Sequence, residues 1–522
     1  MPKTRQLLQR KITYSDAKTE ECNILHQLGY HSEQERFFSH LDGKREWMKA
    51  AVAHHLGLKS SAQCQVADTE NWLHGSFNVC VPITIDSWDG NRVLMRFPLP
   101  YRIGESFSPG NCNEKVQCEA ASYAWLQKNC PDVPIPKLYG FALSTGETFT
   151  RLEFLPFFPR CFQFLRQHIL SWLKGSVPST YARHPSTAPI FTDGIVDNGY
   201  LLIEFIEETR GSMLSNTWKE GQHDPKLRTN FFRDLSRLFL SITRIPLPKI
   251  GSFIIDNDGF LRLANRPLSI EIHQLENEKI PTGIPRNYTY STVDSYIVDI
   301  LGFHDNRFRY QPNAVNNLGD CAYQLSVLTS MRTIFPSIFD RGFRRGPFVF
   351  AFTDLHQSNI FVDAEWHITC LVDLEWTCTQ PIEMFGPPFW LTNKGVDQLD
   401  SAEYDAIRHE FMEALTTEEQ DYASTTLTRM NNGASHLRLS AFMKRSWETG
   451  AFWYSLALSS PSGLFTIFSK HIRPLFCKDY EEEFQVVMPF FFQRNVGHIA
   501  GRKLADREEY DKNLRQAFEN SD

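Results

Sequence analysis

Hydrophobic and polar positions along residues 71–210 predict a β-rich region that contains one long helix. The run NWLHGSFNVCVPITI is typical of a strand broken by a Gly-Ser pair, and DSWDG followed by NRVLMRF predicts a turn and a second strand. Next, EKVQCEAASYAWLQKN places apolar residues at helical spacing. GYLLIEFIEE then predicts another apolar strand. We therefore expect the first third of the chain to be rich in β-strands.

The remainder of the chain is predicted to be mainly helical. LRTNFFRDLSRLFLSITRI and GDCAYQLSVLTSMRTIF both carry helical periodicity, and IGSFIIDNDGFLRL between them predicts a small hairpin. One later stretch, PFVFAFTDLHQSNIFVDAEWHITCLVDLEW, returns to a strand–turn–strand pattern. A β-rich N-lobe joined to a mainly helical C-lobe is a bilobal α+β architecture.

These patterns divide the chain into four parts. We expect a helical extension over residues 1–70 and an N-lobe over 71–210, with an insertion near 156–190. The helical C-lobe would span 211–510 and carry the loop 352–376, and residues 511–522 would form a tail.

Composition narrows the class of protein. The 522 residues include 41 Phe, 17 Tyr and 11 Trp, enough for a large core, so a mainly disordered chain is excluded. The net charge of −7 and the lack of a basic stripe argue against a nucleic-acid partner. No apolar run reaches the roughly 18 residues that a membrane span needs, so we expect no membrane partner. The sequence does not determine the oligomeric state.

The cysteines and the N-terminus favour a cytoplasmic protein with reduced thiols. None of the 11 Cys forms a C-x-x-C pair or a zinc-type cluster, and several lie in apolar strands. The first residues, MPKTRQLLQRKITYSD, lack the apolar core of a secretory signal.

The strongest chemical signal lies in residues 353–373. Asp354 follows an apolar strand, Asn359 comes five positions later, and Asp373 closes the next predicted hairpin, so the three can converge. Carboxylate and amide oxygens suit Mg²⁺, and a second carboxylate could deprotonate a hydroxyl nucleophile. The alternative is structural, because Asp and Asn at strand ends often bond the turning backbone.

Four earlier features suit a nucleotide site. Gly75-Ser76-Phe77-Asn78 lies in a turn whose backbone N–H groups could face phosphates. Arg96 lies on the next strand and Glu119 on the following helix, and this pair could hold a cation against phosphates. The apolar strand Leu201–Ile206 is placed where an adenine-binding hinge belongs. Taken singly, Glu119 could be a solvated helix position, and Leu201–Ile206 could be a core strand.

In this order, the elements resemble the aminoglycoside phosphotransferase/choline kinase family, which has a protein-kinase-like fold, and most of all its fungal branch. The likeness covers roughly residues 70–395. Four segments carry it: GSFNVCVPITIDSWDGNRVLMRFPLP, EKVQCEAASYAWLQKNCPDVPIPKLYGF, YLLIEFIEETRGSML and FTDLHQSNIFVDAEWHITCLVDLEW. The resemblance implies ATP-dependent phosphorylation of a small hydroxylated molecule.

The resemblance also implies roles for single residues. Asp354 would be the catalytic base, and Asn359 with Asp373 would hold Mg²⁺. Arg96, in place of the usual Lys, would contact phosphates with Glu119 as its partner. The remaining ATP-binding residues would be Gly75, Ser76, Phe77 and Asn78 in the turn, and Glu204, Phe205 and Ile206 in the hinge.

Two alternatives stay open. Phe352 stands where the family commonly has a His that fixes the catalytic loop, so the chain could be a catalytically silent nucleotide-binding or interaction protein. A protein kinase is less favoured, because Leu-Glu-Trp rather than Phe-Gly follows Asp373. Glu375 and Trp376 could face the acceptor or begin a helix. The aromatic cluster at 151–170 is predicted to serve packing.

Overall fold

The computed structural model describes residues 3–86, 88, 91–185, 198–427, 438–477 and 481–519. It is an α+β protein with several small sheets and many helices. Parts of the predicted DSWDG turn, of the 156–190 insertion and of the terminal tail lie outside the described residues.

The N-terminal region mixes strands and helices. A short antiparallel hairpin precedes four helices, so the predicted helical extension is only partly correct. The elements are β1 Thr4–Gln6, β2 Lys11–Thr13, α1 Tyr14–Thr19, α2 Ile24–Gln27, α3 Tyr30–Asp42 and α4 Arg45–Leu56.

An antiparallel sheet dominates residues 64–204, as the strand patterns predicted. Its order is β3-β5-β6-β10-β7-β8-β9, with β4 paired to β5. The elements are β3 Cys64–Val66, β4 Leu73–His74, β5 Asn78–Ile85, β6 Arg92–Pro98, α5 Asn111–Asn129, β7 Leu138–Ala142, β8 Thr148–Arg151, α6 Phe157–Trp172, β9 Tyr181–Arg183 and β10 Tyr200–Glu204.

Side-chain alternation along the strands separates the two faces of this sheet. On β6, Met95 and Phe97 belong to the core that contains Trp47 of α4. On β10, Leu201 belongs to the core that contains α5 residues such as Tyr123. The sheet is therefore covered by α4 on one face and by α5 on the other. Because β6 alternates, Arg96 faces the α5 side.

The middle of the chain combines helices with three small antiparallel ladders, β11-β15-β16, β12-β13 and β14-β17. The predicted hairpin at residues 250–263 is confirmed as β12-β13. The elements are β11 Ser212–Met213, α7 Leu214–Gly221, α8 Pro225–Thr243, β12 Ser252–Ile255, β13 Leu261–Asn265, α9 Ile270–Asn277, α10 Val293–Tyr310, α11 Leu318–Ile338, β14 Phe348–Phe352, β15 Ile360–Val362, β16 Ile368–Leu371 and β17 Thr377–Pro381.

The last part is helical. A π-helical stretch at Phe468–Ile472 connects two short helices into one bent segment. The elements are α12 Ser401–Leu427, α13 Leu439–Thr449, α14 Ala451–Leu458, α15 Leu464–Ile467, α16 Arg473–Phe476, α17 Glu481–Val487 and α18 Val496–Glu519.

The expected tail at 511–522 is wrong for its described residues. They continue α18, and Leu514 and Phe518 are buried against Leu7, Ile12 and Ile24 of the N-terminal segment. Apolar residues four apart on a helix share a face, so this end of the chain can bury a stripe and hold the N-terminus in place.

All 11 cysteines lie in the described part of the chain, and none is paired there. Across these same ranges, no helix has both the length and the apolar character needed to cross a membrane.

Candidate functional site

Arg96 is the centre of a buried ionic cluster that joins the large sheet to the loop after β16. The guanidinium is 6% exposed and meets three carboxylates. Its Nη1 lies 2.5 Å from Asp373 Oδ1, its Nη2 3.0 Å from Glu375 Oε2, and its Nε 3.3 Å from Glu119 Oε1. The predicted Arg96–Glu119 pair is therefore present in the structure, and Asp373 lies beside it.

The loop residues also converge. Asn359 Nδ2 donates a hydrogen bond to the Asp354 carbonyl at 2.7 Å, and Val372 N donates to the Asn359 carbonyl at 2.9 Å. The second bond places Asp373 next to Asn359. Asp373 has a φ of 58°, in the left-handed region that Asp tolerates better than most residues. This turn brings its carboxylate to Arg96.

The donor set at Asn359 and Asp373 fits Mg²⁺ better than a transition metal. One carboxylate and one amide oxygen are hard ligands, and Mg²⁺ usually keeps several waters and phosphate oxygens besides. Among the described residues there is no cluster of three or more His, Cys, Asp or Glu side chains that could hold a metal. A protein-only cage is thus absent from the part of the chain that is described.

Asp354 lies in an acidic and partly buried position. Burial raises the pKa of its carboxyl group to about 7, with the nearby charges of Glu375, Asp373 and Glu271 acting in the same direction. A group whose pKa is near neutrality can accept and release a proton under physiological conditions.

Glu119 is 1% exposed, yet neither carboxylate oxygen accepts a hydrogen bond from the described residues. Its contact with Arg96 is therefore an ion pair without hydrogen-bond geometry. Burial raises the pKa of Glu119 to about 7, and the opposing charges of Arg96 and Lys115 do not cancel that effect.

Sequence reasoning missed Lys115. This residue is 1% exposed, contacts Glu375, and donates to Asn78 Oδ1 at 2.5 Å, while Asn78 Nδ2 donates to Glu375 Oε2 at 2.6 Å. Burial alone would raise the pKa of Glu375, but the charges of Lys115 and Arg96 lower it to about 2. Lys115 precedes Glu119 by one helical turn, and this i,i+4 spacing could have indicated it.

Glu375 and Trp376 do not begin a helix, because they lie in the link before β17. Glu375 faces the ionic cluster. Trp376 is buried, and its Nε1 donates to His273 Nδ1 at 3.1 Å. Neither residue lines the cavity that Phe352, Thr353 and Leu355 border.

The Gly75–Asn78 turn presents two kinds of residue. Gly75 and Ser76 are exposed, and Gly75 N donates to the Asn78 carbonyl at 3.0 Å. Phe77 is buried, with its ring centroid 4.7 Å from that of Trp376, and Asn78 is buried against Lys115. The Gly75 N–H is thus used within the turn, and the exposed Ser76 is the turn residue whose backbone could face a phosphate as the sequence predicted.

The predicted hinge borders an open groove of about 990 Å³. Ile206 lines this groove, whereas Glu204 pairs with Arg210 at 3.0 Å and the Phe205 ring lies 3.9 Å from the Arg92 guanidinium. Leu73, Met213 and Phe361 add apolar side chains to the groove, and Glu208, Glu220, Asp224 and Asp363 add acidic ones.

A smaller cavity of about 200 Å³ adjoins the start of the Asp354 loop. Phe352, Thr353 and Leu355 form part of its wall, so it reaches the residues on both sides of Asp354. The wall mixes apolar side chains with polar groups at Ser269, Glu271, Thr353, Gln380, Ser455 and Ser459. The aromatic side chains around it include Phe239, Tyr296, Phe303, Phe385, Phe389, Trp390 and Phe452.

No protein-family model matches this chain, and no curated protein is significantly similar to it in sequence. The resemblance to phosphotransferases stays a prediction from the sequence.

Proposed function

We propose that this protein is an ATP-dependent phosphotransferase of protein-kinase-like, bilobal fold that phosphorylates a hydroxyl group of a small molecule in the cytoplasm. The observation that carries the proposal is the position of Arg96, which contacts both Glu119 of α5 and Asp373 after β16. Kinase-type sites need a cation held by a helix carboxylate next to a metal-binding Asp. Asn359 and Asp354 lie in the adjoining loop.

Each residue would have a distinct task. Asn359 and Asp373 would hold Mg²⁺, which supplies charge neutralisation at the phosphates of ATP. Arg96 supplies a second positive charge, kept in place by Glu119 and Glu375. Asp354 accepts the proton of the acceptor hydroxyl, and its pKa of about 7 suits a base that works near neutral pH.

The nucleotide and the acceptor would occupy the two recesses that border the segment from Phe352 to Asp363. The open groove at Ile206 and Phe361 would take the adenosine part of ATP, which has an apolar base. The 200 Å³ cavity at Phe352 would take the acceptor. Its aromatic wall favours a compact molecule with an apolar body, because buried polar groups without partners are costly.

A catalytically silent nucleotide-binding or interaction protein is the second candidate, and two observations favour it. Phe352 replaces the loop His of the family and contributes to the wall of the apolar cavity. In addition, Arg96 is already surrounded by three carboxylates of the protein itself, which compete with phosphates for its charge.

Thermal unfolding of the purified protein separates these candidates. We would measure it with ATP alone, Mg²⁺ alone and both together, since a ligand at 100 times its dissociation constant stabilises the native state by about 2.7 kcal/mol. A catalytic site predicts a rise in Tm that needs both ligands and is lost in Asp373→Ala. A rise with ATP that is indifferent to Mg²⁺ would favour the silent protein, and no rise would contradict nucleotide binding.

Asp354→Ala tests the chemical step by itself. Turnover should be abolished, while the rise in Tm with Mg²⁺ and ATP is retained, because Asp354 is not assigned to either ligand. Phosphate transfer can be followed as ADP release across a panel of hydroxylated acceptors. Residual transfer close to that of the unchanged protein would refute the role of Asp354 as base.

A further inference from the structure

Helix α6 presents its apolar face to solvent. Phe158, Phe162, Leu165, Ile169 and Trp172 recur at spacings of four and three residues, which places them in one stripe along the helix. Their side chains are between 46% and 82% exposed. The prediction that the aromatic cluster at 151–170 serves packing is therefore wrong for α6, of which no residue is buried, although Phe154 before the helix does pack against Tyr139.

The opposite, polar face of α6 holds the helix against the protein. Gln167 Nε2 donates to the Ser179 carbonyl at 3.0 Å, and Arg166 Nη1 donates to the Asp258 carbonyl at 3.0 Å. The Arg166 guanidinium also lies 5.2 Å from the centre of the Phe260 ring. A surface helix normally turns its apolar face to the core and its polar face to water. Helix α6 has the reverse orientation.

The segment that carries the stripe has a positive net charge, although Arg160 and Arg166 donate to the carbonyls of Glu153 and Asp258, and Lys174 and Arg183 are its exposed basic residues. Residues 154–185 contain Arg160, Arg166, Lys174 and Arg183 and no Asp or Glu, although the whole chain has a net charge of −7. Attraction to a negatively charged surface would therefore add to the burial of the stripe. The stripe is about 21 Å long at 1.5 Å per residue, and it projects from a helix rather than lining a groove.

We infer that α6 binds the surface of a membrane that carries anionic lipids. An exposed amphipathic helix with aromatic residues on one side and basic residues beside them lies in the interface, with its apolar face about 5–10 Å below the headgroups. Lys174 follows the stripe and is exposed, so its ammonium can reach lipid phosphates. We expected no membrane partner because the sequence has no membrane-spanning segment. A helix that lies in the membrane surface does not need such a segment.

Flotation of the full-length protein with vesicles tests the inference without any phosphotransferase assay. The protein should float with phosphatidylcholine vesicles that contain phosphatidylserine. Its affinity for vesicles of phosphatidylcholine alone should be lower by about tenfold or more. Added salt should weaken binding to the anionic vesicles, because it screens the basic residues. Equal binding to both kinds of vesicle, or binding to neither, would overturn the inference.

A triple variant of Phe158→Ser, Phe162→Ser and Trp172→Ser should lose vesicle binding by at least about tenfold, because it removes most of the apolar area of the stripe. Its matched control is the pair Phe490→Ser and Phe491→Ser, which removes two aromatic side chains that are 70% and 72% exposed elsewhere. Circular dichroism should show that both variants remain folded, as exposed side chains contribute little to the core. Unchanged binding by the triple variant would refute a role for α6.

Cys161 allows a direct measurement on the otherwise unchanged helix. It is exposed on α6, whereas the other ten cysteines are buried or half-buried, so an environment-sensitive dye can be attached there selectively. Its emission should shift to the blue with anionic vesicles. If there is no shift, and light scattering instead shows a dimer that the triple variant abolishes, the stripe is a self-association surface and the membrane inference fails.

Discussion

Glu114 and Glu119 lie five residues apart on α5 and are almost equally buried, at 3% and 1% exposure, yet their pKa values move in opposite directions. Burial acts to raise both. For Glu114, hydrogen bonds and charge from Arg266 outweigh burial and lower the pKa, whereas burial of Glu119 raises its pKa to about 7. Burial makes the ionised form of a carboxyl group less favourable. The hydrogen bonds that the carboxylate accepts decide whether it stays ionised.

The region around Glu114 is fully hydrogen-bonded. Its carboxylate accepts from Arg266 Nε and Nη2 at 2.8 Å, from Asn265 Nδ2 at 2.8 Å and from Arg286 Nε at 3.0 Å. Arg266 in turn donates to Glu276 Oε1 at 2.8 Å. This cluster ties α5 to α9 and to the chain after β13, as expected of a structural anchor.

Around Arg96, some buried polar atoms lack hydrogen-bond partners among the described residues. Arg96 Nε and both oxygens of Glu119 lack hydrogen bonds among the described residues, and the Asp373 side chain is 35% exposed. Buried polar groups without partners are rare except where a ligand or a reaction requires them. The difference between the two clusters therefore supports assigning function to the second and anchoring to the first.

Arg266→Met should produce the largest effect. It leaves Glu114 and Glu276 buried without their shared partner, which typically costs about 3–5 kcal/mol. The free energy of unfolding in urea measures this. Arg262→Met is the matched control, because Arg262 is 51% exposed and its pair with Asp256 is a surface pair worth about 1 kcal/mol or less. Similar losses in the two variants would contradict the anchoring role.

Glu114→Gln should cost less, about 2–3 kcal/mol, because Arg266 keeps Glu276 as a charged partner. The effect should depend on pH. The pKa of Glu114 is lowered in the folded protein, so its contribution is present above the unfolded value of about 4.3 and is lost as the pH falls through the folded value. Urea unfolding should show that the loss of unfolding free energy in Glu114→Gln is smaller in acid than at pH 7. A loss that does not change with pH would contradict this explanation.

Local pattern was sufficient for much of the fold. The strands β5, β6 and β10, the helices α5 and α8, and the hairpin β12-β13 were predicted because alternation and helical spacing are local properties of the sequence. The direction of an amphipathic face is not local. Helix α6 has ordinary helical periodicity, but its outward orientation follows from contacts with Ser179 and Asp258, which the pattern does not contain.

The candidate site shows the same limit. Arg96, Glu119 and Asp373 were predicted from the order of the elements, and the structure places them in contact. The pairing of Glu114 with Arg266 joins residues 152 positions apart, and Glu271 reaches the cavity from α9. Such pairings depend on how the helices pack, so no motif in the sequence indicated them.

Glu119→Gln should have the smallest effect and the opposite sign to Glu114→Gln. The folded pKa of Glu119, about 7, lies above the unfolded value, so its stabilising contribution is full below about pH 4.3 and is lost as the pH rises through 7. The neutral amide avoids that loss, and we expect its stability advantage over the unchanged protein to be about 1–2 kcal/mol larger at pH 8 than at pH 5.5. Urea unfolding at the two pH values measures the difference, with Glu114→Gln as the matched substitution on the same helix.

Under the proposed function, Glu119→Gln should also show a smaller rise in Tm with Mg²⁺ and ATP, because Arg96 loses its helix partner. Destabilisation at pH 8 as large as that of Glu114→Gln would mean that the two clusters are equally structural.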